Sequence, residues 1–189
     1  MLHLSMSEKY KVINSTVPTF VTCTIIDWVD LLIRPAYTKI LDDSLNHCIR
    51  EKGLSVHGYV YMTSHIHLIV SSPEGTLPSI MRDFKKFTSK KLVEAIDTAS
   101  ESRKIWLLKK FAFSAARLKR GKDYKIWKDG FHPIILDTYV KVEQRLNYTH
   151  DNPVAAEYVY HERDWRNSSY AFYEDNNPNR SEVLVEPLW

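Results

Sequence analysis

Phe20 to Ile26 alternates aliphatic residues with threonine, the period-two pattern of a strand with one buried face. From Leu31 to Lys52 the period changes to that of a helix. Ile33, Tyr37, Ile40, Leu41, Leu45 and Cys48 fall on one stripe, Pro35 stands early, where a helix tolerates it, and Gly53 marks the stop. Leu54 to Met62 and His65 to Ser71 predict an antiparallel pair of strands joined at Thr63-Ser64 and closed by Ser72-Pro73-Glu74-Gly75. Leu77 to Ala99 predicts a second long helix with Ile80, Phe84, Phe87, Leu92 and Ile96 turned inward. Glu101 to Arg120 is again helical, but its charge density and Gly121-Lys122-Asp123 mark a mobile basic insert over about residues 100–123. Tyr124 to Trp127 and Phe131 to Asp137 are extended pieces around an Asp129-Gly130 turn, and Thr138 to Asp151 is a further helix.

This order predicts an α+β fold, a ferredoxin-like or RRM-like antiparallel sheet with helices on one face and the other face left for a site. Residues 1–175 form a single domain and 176–189 a peripheral tail. The chain has 189 residues and is 44% hydrophobic and 26% charged, a balance that supports a single soluble core. No apolar run approaches the ~20 residues of a membrane span. The first residues lack the basic-then-apolar pattern of a signal peptide, and Cys23 and Cys48 have no metal or redox spacing, so a cytoplasmic location is expected.

The net charge of +3 conceals an asymmetry. Residues 82 to 128 hold 15 Lys or Arg against 5 Asp or Glu, and the remainder 11 against 18. Such a block is an electrostatic footprint for a polyanion. Its candidate contacts are Arg82, Lys85, Lys86, Lys90, Lys91, Arg117, Lys119 and Arg120. Phe84, Phe87, Trp106, Phe111, Phe113, Tyr124, Trp127 and Phe131 lie among or beside them; some belong to the core, and others suit stacking on single-stranded bases.

Within Met62 to Val70, two histidines flank one apolar residue on a predicted strand. His65 and His67 therefore project from one face, about 7 Å apart at their Cα atoms, with Ile66, Leu68 and Val70 on the other. Two imidazoles so placed can converge on one divalent ion. On the last helix, Tyr148 lies about 200° around from Leu146 and shares a polar face with Gln144 and Asn152. A phenol and a carboxamide presented together suit a nucleophile and a third ligand. Asn152 equally fits the N-cap of a new helix starting at Pro153. His132, before Pro133, fits the end of a turn, and His150 a solvated position; both also lie near enough to the motifs to support them.

Four motifs in order resemble the REP-associated tyrosine transposases of the single-tyrosine HUH superfamily (insertion-sequence 200-like) over residues 8 to 175. They are the His65-Ile66-His67 strand, Trp127-Lys128-Asp129-Gly130-Phe131-His132, Tyr148-Thr149-His150-Asp151-Asn152-Pro153-Val154, and Trp165-Arg166-Asn167-Ser168-Ser169-Tyr170. Thr63-Ser64 departs from the Pro-Asn that often precedes the first histidine. The resemblance implies that His65 and His67 hold Mg²⁺ or Mn²⁺, assisted by Asn152, and that Tyr148 is the nucleophile. The implied reaction is cleavage and rejoining of single-stranded DNA through a 5′-phosphotyrosine intermediate, with hairpin-forming repeats as substrate. Monomer and homodimer are both open. An ordinary phenol, with a pKa near 10, is only about 0.1% ionised at neutral pH, so such a site must activate it or let the phosphate take part in proton transfer. Two other readings remain: a domesticated, non-catalytic single-stranded nucleic-acid binder on an RRM-like sheet, and a metal-dependent nuclease that uses water.

Overall fold

The computed structural model describes residues 15–117, 123–174 and 181–189. The elements run β1 (Thr19–Thr24), α1 (Pro35–Lys52), β2 (Ser55–Tyr61), β3 (His65–Ser71), α2 (Leu77–Thr98), α3 (Lys104–Ala116), β4 (Ile134–Ile135), α4 (Tyr139–Ala155) and α5 (Tyr170–Glu174). The four strands form one antiparallel sheet in the order β2-β3-β1-β4. The fold is thus the expected ferredoxin-like α+β type.

Strand alternation divides the sheet into two faces. Val21, Cys23, Ile25, Tyr59, Tyr61, Ile66, Leu68 and Val70 enter the main core with Tyr37, Leu41 and Leu45 of α1 and Met81, Phe84 and Leu92 of α2. Gly53 ends α1 in the left-handed conformation (φ 69°), its N–H returning to the Cys48 carbonyl. Phe20 and Ile69 point to the opposite face and form a smaller cluster with Leu136 and with Val142 and Leu146 of α4. This helix therefore lies against β2 and β3 on the face that carries the histidines.

Several local expectations are corrected. Ile33 and Phe87 are half exposed: Ile33 lies in the turn before α1 rather than on the helix, and Phe87 stands on the outer side of α2. The supposed insert contains a packed helix: Leu107 and Phe111 of α3 are fully buried in the main core. Residues 181–189 are not peripheral. Val183 is 1% exposed, and the Glu186 N–H donates to the Val56 carbonyl beside β2. No helix begins at Pro153; α4 runs through Asn152 to Ala155, accommodating the proline in its last turn. Among the described residues no helix is long and apolar enough to cross a membrane.

Candidate active site

The central strand β3 carries the histidine pair, with His65 opposite Thr24 and His67 opposite Thr22 of β1. The two rings come within 4.8 Å, centroid to centroid, at 74°. Phe20, two residues along β1 from Thr22, stacks on His67 at 5.0 Å. His67 is 5% exposed. Burial, reinforced by the neighbouring His65 and Arg145, pushes its pKa down to about 3, so the ring is neutral at physiological pH. Burial also lowers the pKa of His65, opposed by a hydrogen bond with the Asn152 side chain. The Thr22 hydroxyl lies 2.9 Å from His67 Nδ1. In the tautomer with Nδ1–H donating to Thr22, the Nε2 lone pair is left for a ligand.

Tyr148 reaches this pair from α4. Its ring is 45% exposed and stands 5.4 Å from His67 and 5.9 Å, edge-on, from Phe20. Arg145, one turn earlier, places its guanidinium 4.9 Å over the Phe20 ring and 5.5 Å over that of Tyr148. Asn152, one turn later, meets His65. The fold thus gathers all four residues singled out for chemistry, His65, His67, Tyr148 and Asn152. Gln144 is exposed at the start of the same helical face.

The Trp165-to-Tyr170 motif holds α4 in place. It runs along the outer edge of β2: Tyr61 N–H donates to Asn167 O, Ser169 N–H to Tyr59 O, and the Trp165 indole N–H to Tyr61 O. Ser169 Oγ lies 2.8 Å from His150 Nε2 and accepts from the Tyr59 N–H, a buried link from α4 to β2. His150 is therefore not solvated as expected; it is 7% exposed, and burial lowers its pKa to about 4. His132 sits outside this group, exposed and with φ of 44° at the turn before β4.

The basic residues divide. Arg82, Lys85, Lys86 and Lys90 line one wall of a cleft of about 910 Å³, whose other wall is residues 123–131. Lys85 crosses it and donates to the carbonyls of Lys128 and Gly130. Lys91 pairs with Glu94 at 2.8 Å. Arg117 ends α3 with its guanidinium 6.0 Å from the Phe113 ring centroid. Lys119 and Arg120 lie outside the described residues. The second motif builds the far wall: the Trp127 indole N–H donates to Thr88 of α2, and the Lys128 N–H to the Thr24 carbonyl.

Thr22, Phe20, Arg145 and Trp28 carry no mark of a site in the sequence, save that Arg145 stands three residues before Tyr148 on one helical face. For the others the link is cross-strand or through a turn and has no local signature.

The donors available to a metal are two neutral imidazoles and one carboxamide. Among the described residues no group of three His, Cys, Asp or Glu side chains is placed to hold an ion. A neutral nitrogen-and-amide set of this kind fits a divalent cation whose remaining positions are filled by phosphate and water oxygens.

Residues 29–121 match the family model described as transposase IS200-like. A solved structure described as a REP-associated tyrosine transposase bound to a REP hairpin aligns over 92% of this chain and 89% of that one. The TM-score is 0.64 and the identity 20%, so that likeness is one of fold. No curated protein matches the chain.

Proposed function

Because the chain belongs to the IS200-like transposase family, whose members are DNA strand-transferring enzymes that generally require a divalent metal, we propose that it cleaves and rejoins single-stranded DNA with Tyr148 as nucleophile. The observation that supports this most directly is the half-exposed Tyr148 phenol beside the buried, neutral His67. His65 and His67, with Asn152, would hold Mg²⁺ or Mn²⁺. When bound, the ion supplies charge stabilisation at the scissile phosphate and alignment for in-line attack.

The Tyr148 oxygen attacks phosphorus, forming a phosphotyrosine bond as the bond to the 3′ oxygen breaks and leaves a free 3′-hydroxyl. One phosphodiester bond is exchanged for another, so the reverse attack by a 3′-hydroxyl can rejoin strands without an external energy source. Arg145, over the phenol ring, favours the approach of the phosphate and offsets the negative charge that develops at the attack. Thr22 holds the His67 ring in orientation through Nδ1. The basic cleft, ending at Lys128 near the histidines, would carry the flanking strand. By analogy with the REP-hairpin complex, hairpin-forming repeats are the proposed substrate, and a cytoplasmic, nucleoid-associated location is proposed with it.

A single-stranded hairpin oligonucleotide that loses its leaving strand after cleavage tests the proposal. With Mn²⁺ the wild-type chain gives a covalent protein–DNA band, and Tyr148→Phe and His67→Ala give none. An adduct in Tyr148→Phe identifies another nucleophile, and cleavage without an adduct identifies water. The carboxylate-free donor set keeps one rival in view, a binder that takes up DNA and forms no adduct with any metal.

A further inference from the structure

Trp28 is an indole that the fold holds open to solvent beside the histidine pair. Its side chain is 56% exposed, and its ring lies 5.4 Å from His65 at 78°. Both Asp27 (φ 52°) and Trp28 (φ 56°) adopt the left-handed conformation, which is unusual for a bulky residue. The turn that imposes this is tied down on several sides. The Asp27 carboxylate pairs with Lys110 of α3 at 2.8 Å, the Asp30 carbonyl accepts from Arg103, and the Asp30 carboxylate accepts from the Thr63 hydroxyl. Val29, Leu31 and Leu32 anchor its exit in the core. The indole is thus presented outward from a rigid base.

Its neighbours indicate what it meets. Lys128 sets its ammonium 4.6 Å from the ring centroid. That lysine lines the same cleft as Arg82, Lys85, Lys86 and Lys90. A cationic track therefore runs to an exposed π surface at the edge of the candidate metal site. A single strand supplies both complements, phosphates for the lysines and flat bases for the indole.

We propose that Trp28 is a stacking platform for the nucleobase next to the cleaved phosphate, with Lys128 gripping that nucleotide's backbone. The platform holds the strand in register, so that its phosphate rests between His65, His67 and Tyr148. Trp28 is on this view a positioning residue, and the inference rests on the single-stranded DNA reading above.

The test compares two labelled strands of equal length, oligodeoxythymidylate and an abasic deoxyribose-phosphate chain, binding to the full chain by fluorescence anisotropy. Trp28→Ala should weaken binding of the base-bearing strand by about 5- to 150-fold, the usual range for loss of one base–aromatic stack. The abasic strand should change by less than about twofold. Trp28→Phe should retain most of the affinity, whereas Trp28→Leu, which fills space without a π face, should behave like alanine. An equal loss on both strands, or no loss on either while the wild type binds, overturns the platform. Failure of the folded wild type to bind either strand overturns the single-stranded DNA reading itself. The adduct assay separates the two failures, since it stays positive if only the platform is wrong.

Discussion

The Tyr148 phenol and the His67 imidazole stand 5.4 Å apart at 62°, one on α4 and the other on the central strand. Three interlocks maintain that relation. Phe20 touches both rings, Leu146 of α4 fits over Gly58 of β2, and the buried His150–Ser169 hydrogen bond ties α4 to the β2 backbone. The distance between nucleophile and metal face is therefore set by how a helix seats on a sheet.

Gly58→Ala tests that seating. A Cβ at Gly58 would lie 2.9 Å from Leu146 Cδ1, too close for either to stay in place. Overpacking of this kind costs about 1–3 kcal/mol. A shift of α4 should slow adduct formation by about tenfold or more while leaving DNA affinity nearly unchanged. Adduct formation at the wild-type rate would mean that the seating of α4 does not govern the reaction.

Thr22→Val removes the partner of His67 Nδ1 while keeping the shape of the side chain. Affinity for Mn²⁺, measured by calorimetry, should fall about tenfold, as it does when other ligating histidines lose their orienting partner. Unchanged affinity would exclude His67 Nε2 as a donor oriented through Thr22.

Arg145→Met should slow adduct formation by about 10²-fold at neutral pH, because the guanidinium over the Tyr148 ring is lost while its apolar contact with Phe20 is retained. The rate at saturating DNA should stay low. A rate that recovers fully at saturating DNA would assign Arg145 to strand binding instead.

Acid should destabilise the fold through its buried histidines, opposed in part by Asp42, whose burial raises its carboxyl to about 6. Burial lowers the pKa of His67 to about 3 and of His150 to about 4, against about 6.5 in the unfolded chain. The contribution of each histidine is complete above pH 6.5 and is lost as the pH falls toward its folded value. Between pH 6.5 and 5 the loss is on the order of 2 kcal/mol per histidine. Denaturant unfolding followed by tryptophan fluorescence should show this slope, and His150→Gln should remove roughly half of it. A flat profile would contradict the burial of both rings in neutral form.

The cleft lysines should differ in kind. Replacing Lys86 and Lys90 by Gln should weaken single-strand binding and lower the slope of log affinity against log salt by about 1.4, or about 0.7 per phosphate contact. Lys85→Gln should instead lower the melting temperature, because Lys85 braces the Lys128 and Gly130 carbonyls. If all three substitutions change only the salt slope, Lys85 is a phosphate ligand like the others.

The amino-acid sequence by itself determined the order of the elements and the face on which each short-range pattern lies. Period two put His65 and His67 on one side of β3, and period 3.6 put Tyr148 and Asn152 on one side of α4, because both repeats are properties of the local backbone. Those repeats do not say what covers a face. Ile33 and Phe87 read as members of apolar stripes and are exposed, Ile33 because the helix starts only after it, while His150 belongs to a polar run and is buried against Ser169. Only the tertiary structure decided that α4 crosses β2 and β3, so that Tyr148 meets His67 and Asn152 meets His65. It alone brought Thr22, Arg145 and Trp28 to the same place, since cross-strand register, helix seating and a left-handed turn join residues far apart in the chain.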